Sequence, residues 1–190
     1  MPSKPLILAL TGPKSSGKST LAKALVAKYP DLFIRQRFAE GLKLMLAAFF
    51  RFQGATESQI EAMLDGDLKE EPTFYLDGNT PRLAMQTLGT EWRDMISRDL
   101  WAKAWLTSAT IALVQGRSII VDDCRFNHEA LAIWNLEGLI IRINREGCLP
   151  GPHPSESEYL QIKPDLIIQN LQDNPNSMLI QLEQFLGQIQ

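Results

Sequence analysis

The chain has 190 residues, 45% of them hydrophobic and 22% charged, which suits one soluble globular domain with a sizeable core and excludes an intrinsically disordered chain. A formal net charge of −3 leaves no broad basic footprint for a nucleic acid polymer, and no uninterrupted apolar run is long enough to span a membrane. Two cysteines, Cys124 and Cys148, lack metal-ligand spacing and argue for a reducing, cytoplasmic setting, while Met1-Pro2-Ser3-Lys4 is too short and polar for a signal peptide.

Taken in chain order, Leu6 to Leu10 is a continuous apolar run, the pattern of a buried parallel strand. It runs into Gly12-Pro13-Lys14-Ser15-Ser16-Gly17-Lys18-Ser19, which fits G-x-x-x-x-G-K-[ST] at every fixed position, and Thr20 to Tyr29 reads as a helix. Strand, loop and helix in this order form a phosphate cradle. Successive backbone N–H groups point inward at the phosphate oxygens, glycine tolerates the required angles, and the helix adds its positive dipole end. The pattern assigns Gly12, Lys14, Ser15, Ser16, Gly17 and Thr20 to the nucleotide phosphates. It assigns Lys18 to the β- and γ-phosphates, and Ser19 to Mg²⁺. Kinases, ATPases and GTPases all use such a loop, so the phosphate acceptor is left open.

Beyond Pro30-Asp31, Leu32 to Phe38 predicts a short second strand whose end approaches the phosphate site. Leu42, Met45, Leu46, Phe49 and Phe50 follow helical spacing, giving a core-facing helix over 40–52 with Lys43 pointing off that face. Thr56 and Gln59 form a capping box for a helix through Leu64. Residues 65–79 read as an exposed loop. Thr80-Pro81 opens a further helix that Gly89 is expected to stop. Helices are predicted over 91–98 and 100–114, the second burying a stripe of Trp101, Ala104, Trp105, Ser108, Ile111 and Ala112.

Ser118 to Val121 is an apolar strand ending in Asp122-Asp123, the form expected of a metal-side strand beside a phosphate loop. A helix over 127–136, strands over 139–143 and 165–168, and an amphipathic helix over 178–189 complete the alternation. That alternation implies a parallel sheet covered on both faces. Between the last two strands, Arg145 to Ser157 is rich in glycine and proline and long enough for a lid. The expected organisation is one domain over 1–190: a core of 1–38 and 117–190, a helical substrate-binding region of 39–116, and a lid at about 145–157.

Several segments together resemble the phage-type deoxynucleoside monophosphate kinase family. They are Phe38-Ala39-Glu40-Gly41-Leu42-Lys43, Pro81-Arg82 through Gln86 and Gly89-Thr90-Glu91 to Arg93, the following Trp101, and Asp123-Cys124-Arg125-Phe126 with Asn127-His128-Glu129-Ala130. Arg145, His153 with Ser155-Glu156, and Asp165 with Asn170 extend the likeness more sparsely. A departure is the second acid at the strand end, so Asp122 and Asp123 both stand as candidates for the metal. The resemblance implies a phosphate-loop kinase three-layer sandwich, with a five-stranded parallel sheet in order 2-3-1-4-5, a helical insertion and a lid loop. It implies ATP as phosphoryl donor, Mg²⁺, and a deoxynucleoside monophosphate as small-molecule substrate; a homodimer is compatible with it. It also assigns Lys43 to the substrate and brings the adenine near Asn170.

The chemistry of such a pair of anions calls for cations. A nucleoside monophosphate carries about two negative charges at neutral pH, since its second pKa is near 6. Its attacking oxygen is therefore already ionised, and the difficulty is holding it in line with a γ-phosphate. Arg82 and Gln86 share a helix face and with Arg93 are candidates for the acceptor, Gln86 by reading a base edge. Arg125 and Arg145 are candidates for the transferring group, and Trp92 for either a stacking surface or the core. His128 and His153 read as cap, lid or surface residues, and Arg35, Arg37 and Arg142 as surface ion pairs. Two other readings stay open: a kinase of a hydroxyl-bearing metabolite, with Asp122 or Asp123 as general base, and a regulatory nucleotide-binding module.

Overall fold

The computed structural model describes residues 4–149, 158–171 and 174–188. The chain divides into two compact units, Met1–Phe38 with Trp105–Gln190, and Ala39–Ala104. No helix among the described residues is long and apolar enough to cross a membrane.

The first unit is built on five parallel strands: β1 (Ile7–Thr11), β2 (Phe33–Arg35), β3 (Ser118–Val121), β4 (Leu139–Asn144) and β5 (Leu166–Gln169). Their order is β2-β3-β1-β4-β5, the expected one. The central strand β1 buries all five residues, which is why its sequence is a continuous apolar run rather than an alternating one. Helices α1 (Lys18–Lys28), α7 (Asn127–Trp134) and α8 (Pro175–Gln188) belong to the same unit. Leu21 and Leu25 of α1 join Leu8, Ile141, Met178 and Leu182 in one core. Because every strand runs the same way, their C-terminal ends emerge on one edge, where ligands of open α/β sheets bind. Gly12, Arg35, Asp122, Arg145 and Asn170 each follow or end a different strand at that edge.

The second unit holds α2 (Glu40–Phe52), α3 (Glu57–Leu64), α4 (Pro81–Thr87) and α5 (Arg93–Ile96) around Leu46, Phe50, Ile60, Met63 and Met85. The capping box at Thr56 and Gln59 forms as expected. Three local expectations are corrected. In α2 the buried face is Leu42, Lys43, Leu46, Ala47 and Phe50. That face is turned toward the side of Lys43, leaving Met45 and Phe49 nearly half exposed. Gly89 does not end the helix, because α4 continues through a π-helical turn (Leu88–Trp92) into α5. The segment 65–79 is not wholly irregular, with 3₁₀ turns at Asp67–Glu70 and Phe74–Leu76.

The division between the units falls within α6 (Leu100–Val114). This helix buries Trp105 and Ala112 as expected, together with Ala102 and Ala109, whereas Ala104, Ser108 and Ile111 of the expected stripe are exposed. The two chain crossings into and out of the first unit carry an aromatic pair, Phe38 on Trp105 with ring centroids 4.6 Å apart. The Trp105 indole N–H donates to the Gln36 carbonyl at 3.2 Å.

Candidate active site

The loop after β1 takes the backbone path its glycines permit. Gly12 has φ +135°, and a Cβ there would stand 2.4 Å from the carbonyl oxygen of Ile143 on β4. Ser15, with φ 63°, also sits in the left-handed region. That conformation is uncommon for a residue with a side chain and clusters at functional sites. Lys18 opens α1 and curls back over the loop, donating to the carbonyls of Gly12 at 2.8 Å and Pro13 at 2.6 Å, and to Ser16 Oγ at 3.4 Å. Burial, then the nearby charge of Arg125, pull its pKa down to about 8, against the opposing pull of Asp122.

Two strand ends brace this loop. Arg145, just past β4, donates from Nη1 to the Ser15 carbonyl at 3.0 Å. Asn170, just past β5, is 3% exposed and donates from Nδ2 to the Ser16 carbonyl at 2.9 Å. Its backbone N–H reaches the Asn144 carbonyl at 2.8 Å. Among the described residues its buried Oδ1 has no hydrogen-bond partner. Asn170 thus holds the loop's backbone. The greater part of the expected lid, residues 150–157 with His153, Ser155 and Glu156, lies outside the described residues.

The acids after β3 have separate partners. Asp122 is held by both carboxylate oxygens, Oδ1 by Arg35 Nε at 2.9 Å and Oδ2 by Arg35 Nη2 at 2.6 Å. The Ser19 hydroxyl lies beside it. The Asp122 side chain is 1% exposed. Burial alone would raise its pKa, but the bonds from Arg35 and the adjacent Ser19 hydroxyl outweigh that and leave it lowered. Asp123 Oδ1 accepts the backbone N–H of Phe38 at 2.9 Å. The residues present fit a phosphate tail: a glycine-permitted cradle, an ammonium folded over it, and a hydroxyl beside a carboxylate. No group of three or more His, Cys, Asp or Glu among the described residues could hold a metal by itself. A divalent ion here would therefore take most of its ligands from phosphate and water, as Mg²⁺ commonly does.

Arg125 lies in the turn between β3 and α7. That turn is fixed by Glu129, whose Oε2 accepts the backbone N–H of Arg125 at 2.7 Å and of Phe126 at 3.1 Å. Burial first, then the charge of Asp123, raise the Glu129 carboxyl to about 8. Cys124, between the two, is fully buried and its thiol is pushed well up by burial. His128 stacks on Phe126, with ring centroids 5.3 Å apart.

In the second unit, Lys43 is buried and paired with Asp65. That contradicts a lysine projecting from a solvent face; the rotation of α2 described above turns it inward. Arg82 Nη2 meets Glu70 at 2.8 Å and Arg93 Nη2 meets Asp94 at 2.8 Å. Gln86 is exposed, and Trp92 packs on Trp101 with ring centroids 5.6 Å apart.

Two residues escaped the sequence reading. Arg35, expected as a surface ion pair, ends the very strand expected to approach the phosphate and is paired with the buried Asp122. Glu129 stood in a recognised segment with no role assigned; its place three residues after a turn was the available signal. Arg142 is also no surface pair, since it donates to the carbonyls of Tyr159 at 3.2 Å and of Ile162.

The sheet order and the lysine-bearing loop define a phosphate-loop kinase fold. Among solved structures, thymidylate kinase from Candida albicans aligns with a TM-score of 0.52 at 13% identity, covering 100% of this chain and 94% of that one. The Mycobacterium tuberculosis APS kinase CysC Cys556Ala mutant aligns with 0.51 at 10% identity, covering 98% and 99%. At these identities the likeness is one of fold. No family model matches the chain. A protein of Acanthamoeba polyphaga mimivirus named "Putative deoxynucleotide monophosphate kinase" is 30% identical over 182 residues, covering 87% of this chain and 88% of that protein. The chain belongs to this deoxynucleotide monophosphate kinase family.

Proposed function

We propose that the protein transfers the γ-phosphoryl group of ATP to a deoxynucleoside monophosphate, yielding ADP and the deoxynucleoside diphosphate. The observation that carries this reading is the Lys18-centred cradle at the end of β1, in a chain of this family. Lys18, Arg125 and Arg145 neutralise the donor phosphates and the charge shared during transfer. Arg82, Gln86, Arg93 and Lys43 are assigned to the acceptor. Mg²⁺, held through Ser19 and the Asp122 side of the site, supplies orientation and charge for the phosphate tail. The acceptor oxygen is already ionised, so no general base is required. Asp122 is poorly disposed to act as one, since Arg35 engages both of its oxygens. This favours a phosphate over a hydroxyl acceptor. A coupled assay of ADP formation across the deoxy- and ribonucleoside monophosphates, with Lys18→Ala as control, tests the reading. Stimulation by at least one deoxynucleotide is expected, and none by any monophosphate would overturn it.

A further inference from the structure

The ion pair between Arg35 and Asp122 is unusual in its place. Arg35 ends β2 and Asp122 follows β3, the strand beside it, so the parallel register brings both to the sheet edge where the loop stands. The Asp122 side chain is 1% exposed, and the Arg35 side chain 24%. Two N–H groups engage the two carboxylate oxygens in the planar fork that arginine alone provides. The Ser19 hydroxyl, next in sequence to Lys18, lies beside the same carboxylate. A buried carboxylate this close to a triphosphate would repel it unless its charge were met from within the protein.

We infer that Arg35 is a positioning residue for the metal side of the site: it neutralises and orients Asp122, so that this acid acts on the ion through Ser19 and not as a directly bound ligand. The inference rests on the kinase reading above. With Arg35 in place, each carboxylate oxygen accepts one guanidinium N–H and the acid's charge is met within the protein. Without it, the bare carboxylate opposes metal-free ATP but is at liberty to bind the metal that accompanies ATP. Removing Arg35 therefore makes nucleotide binding more dependent on the metal, an effect that a mere tie between two strands would not produce.

The test is calorimetric titration of the full chain with ATP, once in excess Mg²⁺ and once in chelator. The proteins are wild type, Arg35→Gln, Arg35→Lys, Asp122→Asn and the Arg35→Gln/Asp122→Asn double variant. Arg35→Gln is expected to lose about tenfold in affinity in chelator and much less in Mg²⁺, widening the ratio at least about fivefold. Arg35→Lys, a point charge without the fork, falls between. The double variant matches Asp122→Asn, because the arginine acts only through that acid. A folded Arg35→Gln protein whose ratio stays within about twofold of wild type overturns the inference, as does an undiminished Arg35 effect in the Asp122→Asn background. If Arg35→Gln fails to fold, Arg35→Lys decides by the same ratio, and identity with wild type overturns the claim. Wild type that binds no ATP overturns the kinase reading and this inference with it.

Discussion

Glu129 Oε2 lies 2.7 Å from the backbone nitrogen of Arg125 and 3.1 Å from that of Phe126, so one buried oxygen shapes the turn that presents Arg125, the arginine proposed for the transferring phosphoryl group. Its carboxyl is raised from an ordinary 4.5 to about 8, chiefly by burial and then by Asp123. Between those values the native chain keeps a proton that the unfolded chain has released. Stability should therefore fall as pH rises from about 5 to 8, by at most about 1.4 kcal/mol for each pH unit crossed in that window. Glu129→Gln keeps an acceptor oxygen and cannot ionise, so its melting temperature over this range should decline less steeply than that of wild type. Equal slopes for the two proteins would refute the assignment. Glu129→Ala, which strands both N–H groups, should cost about 1–3 kcal/mol and lower turnover.

Gly12→Ala would set a methyl group 2.4 Å from the Ile143 carbonyl at φ +135°. Strain of this kind costs about 1–3 kcal/mol, and ATP affinity should collapse with the loop's shape. Gly54, with φ +89° and open space around it, is the control. Gly54→Ala should show a smaller loss of stability and unchanged ATP binding. Denaturant melts and nucleotide titration distinguish the two.

Asn170→Ala removes the bond to the Ser16 carbonyl from a fully enclosed position. We expect a loss of about 1 kcal/mol in stability and a several-fold weaker ATP affinity. Binding in wild-type range would show that Arg145 and the glycines hold the loop without it.

Arg82 is paired with Glu70 at 2.8 Å, the two side chains being 30% and 55% exposed. An arriving phosphate would compete with this carboxylate. Arg82→Ala should raise KM for the monophosphate by about tenfold with little change in KM for ATP. Glu70→Gln, which releases the arginine, should lower the same KM or leave it unchanged; a rise would contradict the assignment.

The sheet was readable because its inner strands β1 and β3 are buried apolar runs bounded by turn chemistry, and the loop after β1 carries its meaning in residue type and spacing alone. Amphipathic positions misled where the margin was narrow. In α2, Lys43 and Met45 exchange the fates their polarities suggest, because the ion pair with Asp65 comes from a segment 22 residues away. Trp92 and Trp101 meet each other rather than dividing between core and ligand. Arg35 and Asp122 are 87 residues apart in sequence, and only the pairing of β2 with β3 makes them neighbours. Long-range polar pairs leave no periodic trace, so charge neutralisation at the edge was invisible where hydrophobic burial was plain.

The π-helical turn at Leu88–Trp92 has a consequence for the phase of that helix. Arg82 and Gln86 precede it and Arg93 follows it, so one surplus residue spliced into the spiral sets their angular offset. Deleting a residue from the turn would restore an unbroken α-helix and swing Trp92 and Arg93 by about 100° around the axis relative to Arg82. The segment's side chains can therefore be re-aimed as a block by a change in length alone, with every other residue of the chain left as it is.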